Sequence, residues 1–433
     1  MLARVQEAVR RAPGCFVSPA IEARAIPRMG VGVVARDRVA AGSLLFQAGA
    51  AAWHPLSAEC AVELAQRNAP GFVTQLQQLL AGSASLRASP FVPRALALAA
   101  HLLVNFSRGD AVDADTPLGQ LYVAALPPRV DLPLLWDAWQ LSELEGCCEA
   151  ARSFQQSSQL YTTIHAHLFG AAGDLVARDA FLWAISVLMS RATSGTDQPF
   201  ALVPFFDWFN HNDNGDECVQ AFDPRSGFTV HATRAYEAGE QVFINYGHHS
   251  NLRLLRNYGF TLPTNAHDTL ELPLPTALGK LAPADDAVRE KLALLQALRL
   301  GDGAADGLPA KKTLQFATDG QLAAESQQWL QILLASRNEL ESLFHQVTAA
   351  PEPGAHSGHS LRLPESLRHK LRDRVRALCS ERLATHKTPL ETDESLLRES
   401  DRQLAPWLRS CLHIRMSEKR TLLNAIRLNA PVG

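Results

Sequence analysis

The sequence predicts an α+β protein in which a β unit of short strands is split by a long helical insert and followed by an all-helical C-terminal domain. Three observations predict it. Two separated stretches, about residues 14–53 and 200–262, carry short strand-like runs punctuated by glycine turns. Between them, residues 55–190 repeat apolar side chains at helical spacing. Beyond about residue 275 the long segments are amphipathic with helical period.

The opening MLARVQEAVRR places Arg4, Arg10 and Arg11 against Glu7. This faintly resembles an organelle transit peptide, but it is short, lacks serine and contains an acid, so residues 1–13 read as an ordinary first helix or extension. MGVGVVA then sets Gly30 and Gly32 in an apolar strand, and Ala41-Gly42 marks a turn before SLLFQ. AVELAQRN, PRALALAAHLLVNFSRG and RDAFLWAISVLMSRA supply the helices of the insert. FTVHATRA and QVFINYG return to strand content, separated by a turn over Glu237–Glu240. Four helices are expected after them, over DDAVREKLALLQALRL, GQLAAESQQWLQILLASRNELESLFHQV, ESLRHKLRDRVRALCSERLATH and SEKRTLLNAIRLN. PEPGAHSGHS, residues 351–360, reads as a loop between two of them.

The 433 residues allow two or three domains. A net charge of -3 with no dense Lys/Arg run argues against nucleic acid as a main partner. No run of about 18 apolar residues marks a membrane span. Seven scattered cysteines without C-x-x-C spacing argue for free thiols in a reducing compartment, not a disulfide framework or zinc site. The sequon at Asn105 follows no secretory segment and is expected to go unused.

Gly30-Val31-Gly32 invites a dinucleotide reading, which fails because Ala35 stands where the third glycine belongs. Two close glycines also let a backbone approach a flat group, or let strands pack tightly. In LVPFFDWFNHNDNGDE, a calcium loop would start at Asn210 and use Asn212, Asn214 and Gly215, but its twelfth position is Ala221, not Glu. A transition-metal set of His211, Asp213, Asp216 and His231 has no recognised spacing. The plain alternative is a buried Asn-His pair stitching a turn to a strand. Tyr246-Gly247 and Tyr258-Gly259 suggest aromatic walls of a pocket, or core residues beside turns. His248 and His249 read as surface histidines.

Taken in order, MGVGVVA, WAISVLMSRA, VPFFDWFNH and FINYGHHSNLRLLRNYGF resemble the SET-domain methyltransferases of the Rubisco large-subunit lysine methyltransferase class. The resemblance covers residues 14–262 as a SET-domain β-fold, with the insert at about 55–190. The helical residues 275–433 look like that family's substrate-binding domain. It implies S-adenosylmethionine as cofactor, S-adenosylhomocysteine as product, no metal, and a protein substrate. Met29, Gly30 and Val31 would flank the cofactor, Asn210 and His211 hold its methionine and adenine parts, and Arg191 its carboxylate through a planar fork. Tyr246 would be catalytic and also face the cofactor. Ser190, Phe206, Asp207, Phe222 and Tyr258 would meet the incoming side chain or its backbone.

Against this pattern Phe222 stands where the plant enzyme has a tyrosine, and Gly195 where it has a second arginine. The actin-histidine enzyme of the same class has Trp at Phe206 and Arg at His249, which favours lysine as acceptor here. The expectation is a non-histone protein-lysine N-methyltransferase. A protein-histidine methyltransferase and a catalytically silent SET scaffold are the alternatives. It is expected to be monomeric, binding neither nucleic acid nor membrane, and to work in the cytoplasm or nucleus unless imported into an organelle.

Overall fold

The computed structural model describes residues 1–89, 91–106, 113, 115–147, 150–170, 176–193, 195, 197–273, 290–291, 294, 313–348, 364–400 and 403–431. The expected helix over 285–300 falls almost wholly outside the described residues, and the expected loop over 351–360 entirely so. No helix among the described residues is long and apolar enough to cross a membrane. The chain divides into two compact units, residues 1–137, 154–249 and 253–259, and residues 138–153, 250–252 and 260–433.

The first unit opens with α1 (Leu2–Arg11), which buries Val5 and Val9 one helical turn apart. Eight strands follow in two four-stranded sheets: β1 (Phe16–Val17), β2 (Ile21–Ile26), β3 (Gly30–Ala35), β4 (Leu44–Ala48), β5 (Asn210–His211), β6 (Val219–Asp223), β7 (Gly227–His231) and β8 (Gln241–Ile244). One sheet has the order β1-β4-β7-β6, the other β2-β3-β8-β5. The insert contributes α2 (Ala58–Asn68), α3 (Pro70–Gly82), α4 (Val92–Asn105), α5 (Leu118–Ala125), α6 (Ala150–Phe169) and α7 (Arg178–Arg191).

Two features of this unit position the site. The first is α7, in which Phe181 to Leu188 are all buried, so the helix runs through the core and not along its surface. It delivers its last residues, Met189, Ser190 and Arg191, to a cavity. The second is the turn after Pro204. Phe205 holds φ 73°, unusual for a bulky residue. Its ring stacks on Phe46 of β4 at 5.6 Å and packs edge-on against Phe209 at 5.9 Å. Such aromatic pairs contribute about 0.5–1.5 kcal/mol each beyond burial, enough to offset the order of strain that this backbone carries.

The second unit contains α8 (Asn251–Tyr258) in part, then β9 (Thr269–Pro273), β10 (Thr313–Ala317), α9 (Ala324–Leu334), α10 (Arg337–Thr348), α11 (Glu365–Leu383), α12 (Leu390–Ser400) and α13 (Pro406–Leu428). Two corrections to the sequence reading arise here. The region is not all helical, because β9 and β10 pair as an antiparallel ribbon. Their alternation buries Leu270, Leu272, Leu314 and Phe316 on one face. The long segment over 320–347 is two helices, broken at Ser336. Glu339 accepts from the Ser336 N–H at 2.8 Å and its hydroxyl at 2.7 Å, a start signal for a new helix. Asp393, fully buried on α12, is held by Arg415 and by Lys419 at 2.5 Å, both from α13.

Candidate active site

The site grows from the place where β5 lies parallel to β8, pairing Asn210 with Phe243 and His211 with Ile244. Two residues past β8, Tyr246 is fixed at both ends. Its N–H donates to His211 Nδ1 at 3.1 Å, and its hydroxyl donates to the Phe209 carbonyl at 2.7 Å. Gly247 follows with φ 111°, and a Cβ there would come within 3.0 Å of the His249 ring. The Tyr246 ring stacks on His211 at 5.2 Å and meets Tyr258 at 4.8 Å, and Tyr258 stacks on His249 at 6.3 Å. Four rings thus stand in a column.

Burial sets the charge states in this column. It pushes the Tyr246 phenol well above its ordinary value of 10, so the hydroxyl keeps its proton at neutral pH. Burial also lowers the pKa of His211, whose neutral Nδ1 is then able to accept from Tyr246. His249 shifts the same way, through burial and the Arg253 cation.

The Asp207 side chain, 1% exposed, is the second polar centre. Arg191 at the end of α7 donates to its Oδ2 at 2.6 Å, and Tyr122 of α5 donates to the same oxygen at 2.9 Å. Asp207 Oδ1 and Arg191 Nε are both buried with no hydrogen-bond partner. Burial raises the Asp207 carboxyl above its usual range, while Arg191 and then Tyr122 oppose that rise. A buried donor and a buried acceptor left open are costly unless something else completes them.

A cavity of about 850 Å³ is lined by Met189, Ser190, Arg191, Phe206, Asp207, Tyr246 and Tyr258, among others. Of the residues expected from sequence, it brings Ser190, Arg191, Phe206, Asp207, Tyr246 and Tyr258 together. Ser190 lines it, but its hydroxyl turns back to the Ser186 carbonyl at 2.9 Å. Phe222 is not among the lining residues; it packs on Phe228 at 4.8 Å and Trp53 at 6.2 Å, and Phe228 lines the cavity instead. His249, read from sequence as a surface residue, also lines it. Arg94, Arg253 and Arg256 add basic character.

Met29, Gly30, Val31, Asn210 and His211 are not among the lining residues, although His211 touches the cavity residue Tyr246. Arg28 and Gly30 both have positive φ in the tight β2–β3 connection, and nothing lies within 4 Å of a Cβ built on Gly30. Gly32 differs: its missing side chain leaves room for Gln241 and Asn210. Asn210 donates to Gln241 Oε1 at 3.1 Å, and Gln241 donates to Met29 Sδ at 3.6 Å. Gln241 and Tyr122 were not singled out from sequence. Gln241 had a signal, a long polar side chain opening a buried strand. Tyr122 had none, sitting in the apolar run LYVAAL.

Among the described residues no group of three His, Cys, Asp or Glu side chains could hold a metal ion, so His211, Asp213, Asp216 and His231 do not converge. The six described cysteines, Cys15, Cys60, Cys147, Cys218, Cys379 and Cys411, are free thiols.

Two family models match this chain, the SET domain over residues 30–247 and the Rubisco LSMT substrate-binding domain over residues 282–422. The chain is 25% identical over 339 residues to the actin-histidine N-methyltransferase of Danio rerio, covering 70% of this chain and 51% of that one. It is 27% identical over 323 residues to the chloroplastic Rubisco large subunit N-methyltransferase of Nicotiana tabacum (70% and 61%). It is 27% identical over 332 residues to the chloroplastic fructose-bisphosphate aldolase-lysine N-methyltransferase of Arabidopsis thaliana (70% and 62%). The chain therefore spans about half to three fifths of the length of these relatives. Among solved structures it is similar to Rubisco LSMT bound to sinefungin and monomethyllysine, with TM-score 0.72 at 20% identity over 99% of this chain and 91% of that one. Rubisco LSMT bound to AdoMet gives TM-score 0.70 at 19% identity over the same shares. At these identities the likeness is one of fold.

Proposed function

The chain belongs to the SET-domain family, and from that premise we propose that it is an S-adenosylmethionine-dependent N-methyltransferase that modifies a lysine side chain of a non-histone protein. The observation that carries this reading is Tyr246, held by His211 and Phe209, in one cavity with Arg191 and Asp207, whose Nε and Oδ1 are left open.

The residues fit the cofactor. Arg191 Nε is a buried donor without an acceptor, which a carboxylate would supply. The space beside Gly30 and the polar edge of Asn210, backed by Gln241, suit a flat polar group and an amino-acid chain. When bound, S-adenosylmethionine supplies a methyl group already activated on a positively charged sulfur.

The chain's own work is then alignment and exclusion of water. Tyr246 donates its hydroxyl hydrogen bond to the Phe209 carbonyl and keeps the proton, so its oxygen presents lone pairs, and the high pKa means that it orients and polarises without abstracting a proton. Phe206, Phe228 and Tyr258 supply apolar walls that strip water from an incoming side chain. Asp207 Oδ1 is placed to accept from an N–H of the substrate. Reacting atoms held in line within about 3–3.5 Å need little further help. The region matched by the substrate-binding model is assigned to gripping the protein that carries the acceptor.

The test is incubation of the full chain with lysate and isotopically labelled S-adenosylmethionine, followed by mass spectrometry of the labelled protein. Label on lysine supports the reading, and label on histidine replaces the acceptor while keeping the chemistry. Failure to bind the cofactor in calorimetry leaves the silent scaffold.

A further inference from the structure

Tyr122 stands on α5 in the helical insert, 85 positions before Asp207 in sequence, and yet its fully buried side chain ends on that carboxylate of the cavity wall. Two donors, Tyr122 at 2.9 Å and Arg191 at 2.6 Å, share Asp207 Oδ2. Sharing one oxygen links the Tyr122 hydroxyl, the carboxylate and the guanidinium in one hydrogen-bonded chain. Arg191 spends its NH1 on Asp207 Oδ2 and leaves Nε without a protein partner. The Asp207 side chain is 1% exposed, so water does not hold it in this setting. Among the described residues Tyr122 and Arg191 are the side chains that donate to Oδ2, beside a contact from the backbone of Asp207 itself.

We propose that Tyr122 is a positioning residue of this site: its hydroxyl locks Asp207, and Asp207 in turn aims Arg191 Nε at the carboxylate of the amino-acid end of the cofactor. This rests on the methyltransferase reading above. A consequence follows for pH. Burial raises the Asp207 carboxyl, and Arg191 and Tyr122 both work against that rise. The other titratable groups that line the same cavity are Arg94, Tyr161, Tyr246, His249, Arg253, Arg256 and Tyr258. Loss of the Tyr122 hydroxyl removes one lowering contact, so Asp207 takes up its proton at a higher pH and releases Arg191 there.

The experiment compares two ligands that share adenosine and a thioether. S-adenosylhomocysteine carries the amino-acid end, and 5′-methylthioadenosine lacks it. Both are titrated by calorimetry into wild type, Tyr122→Phe and Asp207→Asn across a range of pH. Tyr122→Phe is expected to bind S-adenosylhomocysteine about three- to tenfold more weakly, the loss expected of one hydrogen bond, with unchanged affinity for 5′-methylthioadenosine. The acid-side fall in S-adenosylhomocysteine affinity moves to higher pH in Tyr122→Phe and disappears in Asp207→Asn. Equal losses for both ligands reduce Tyr122 to a packing residue and overturn the proposal, as does no loss at all. Should Tyr122→Phe fail to fold, wild type and Asp207→Asn decide: a wild-type affinity with no ligand-selective acid limb overturns it. Absence of S-adenosylhomocysteine binding to folded wild type overturns the methyltransferase reading itself, and the role of Tyr122 falls with it.

Discussion

Gly32 lies so close to Asn210 that a Cβ built on it would sit 2.8 Å from the Asn210 amide nitrogen, and 2.4 Å from Gln241 Oε1. The same Cβ would come within 2.6 Å of Ile26 on the neighbouring strand. The two glycines of the G-V-G run therefore do different work. Gly30 leaves open space at a positive φ of 78°, while Gly32 makes room for protein side chains.

Gly32→Ala is expected to displace Asn210 and Gln241, at a cost of about 1–3 kcal/mol for an overpacked site. Thermal unfolding would show the lost stability, and calorimetry a weaker affinity for S-adenosylhomocysteine. Gly30→Ala should leave Asn210 in place and weaken the protein only through its positive φ. If Gly32→Ala binds and melts as wild type does, Asn210 does not depend on that gap.

Tyr246→Phe removes the donor to Phe209 and the oxygen facing the cavity, while the backbone N–H still reaches His211. Turnover with a labelled substrate is expected to fall about a hundredfold or more, the scale seen when one preorganised polar group is removed. S-adenosylhomocysteine affinity should stay within about threefold, because no hydrogen bond to a charged group is lost. Wild-type turnover would remove Tyr246 from the chemistry.

Much of this arrangement was legible in the sequence because strong local signals agreed with the fold. Apolar spacing marks α7, and the pairing of Gly30-Val31-Gly32 with a later Asn210-His211 and Tyr246 carries the family resemblance. Other parts were hidden by depth. Tyr122 looks like one more apolar residue of a helix until Asp207, 85 positions later, is placed against it. Phe222 faces Trp53 and Phe228, since its register on β6 pairs it with Phe228 of β7. The break at Ser336 was readable as S-x-x-E, but continuous helical periodicity across 320–347 masked it.

His211 gives a pH test. Its folded pKa lies below the ordinary 6.5, chiefly through burial, so the unfolded chain takes up this proton first as pH falls. Its contribution to stability is full above about pH 6.5 and declines as pH drops from there towards the folded pKa. Protonation also removes the acceptor that holds the Tyr246 N–H. His101 and His249 shift in the same direction, so the difference between proteins is the quantity to measure. His211→Gln, which retains an acceptor oxygen, should lose less melting temperature than wild type between pH 7 and about pH 5. Parallel pH curves would show that His211 does not titrate on unfolding.

Glu339 makes the opposite case in the second unit. Burial works against its charge, but hydrogen bonds from Lys370, Ser336 and Ser366 bring its pKa down from 4.5 to about 2. Lys370 reaches it at 2.9 Å from α11, so the carboxylate ties the start of α10 to the next helix. A depressed carboxyl stabilises the fold above its unfolded pKa and loses that contribution as pH falls through the folded one. The full shift corresponds to about 3 kcal/mol. Lys370 is 45% exposed, however, so solvent screening reduces the expected contribution to about 1–2 kcal/mol. Glu339→Gln should therefore unfold at lower urea concentration than wild type at pH 7, with the gap narrowing below about pH 4.5 and closing near pH 2. A gap that stays constant from pH 7 to pH 2 would mean that Glu339 acts by shape and neutral hydrogen bonding, and that its charge contributes nothing to joining α10 and α11.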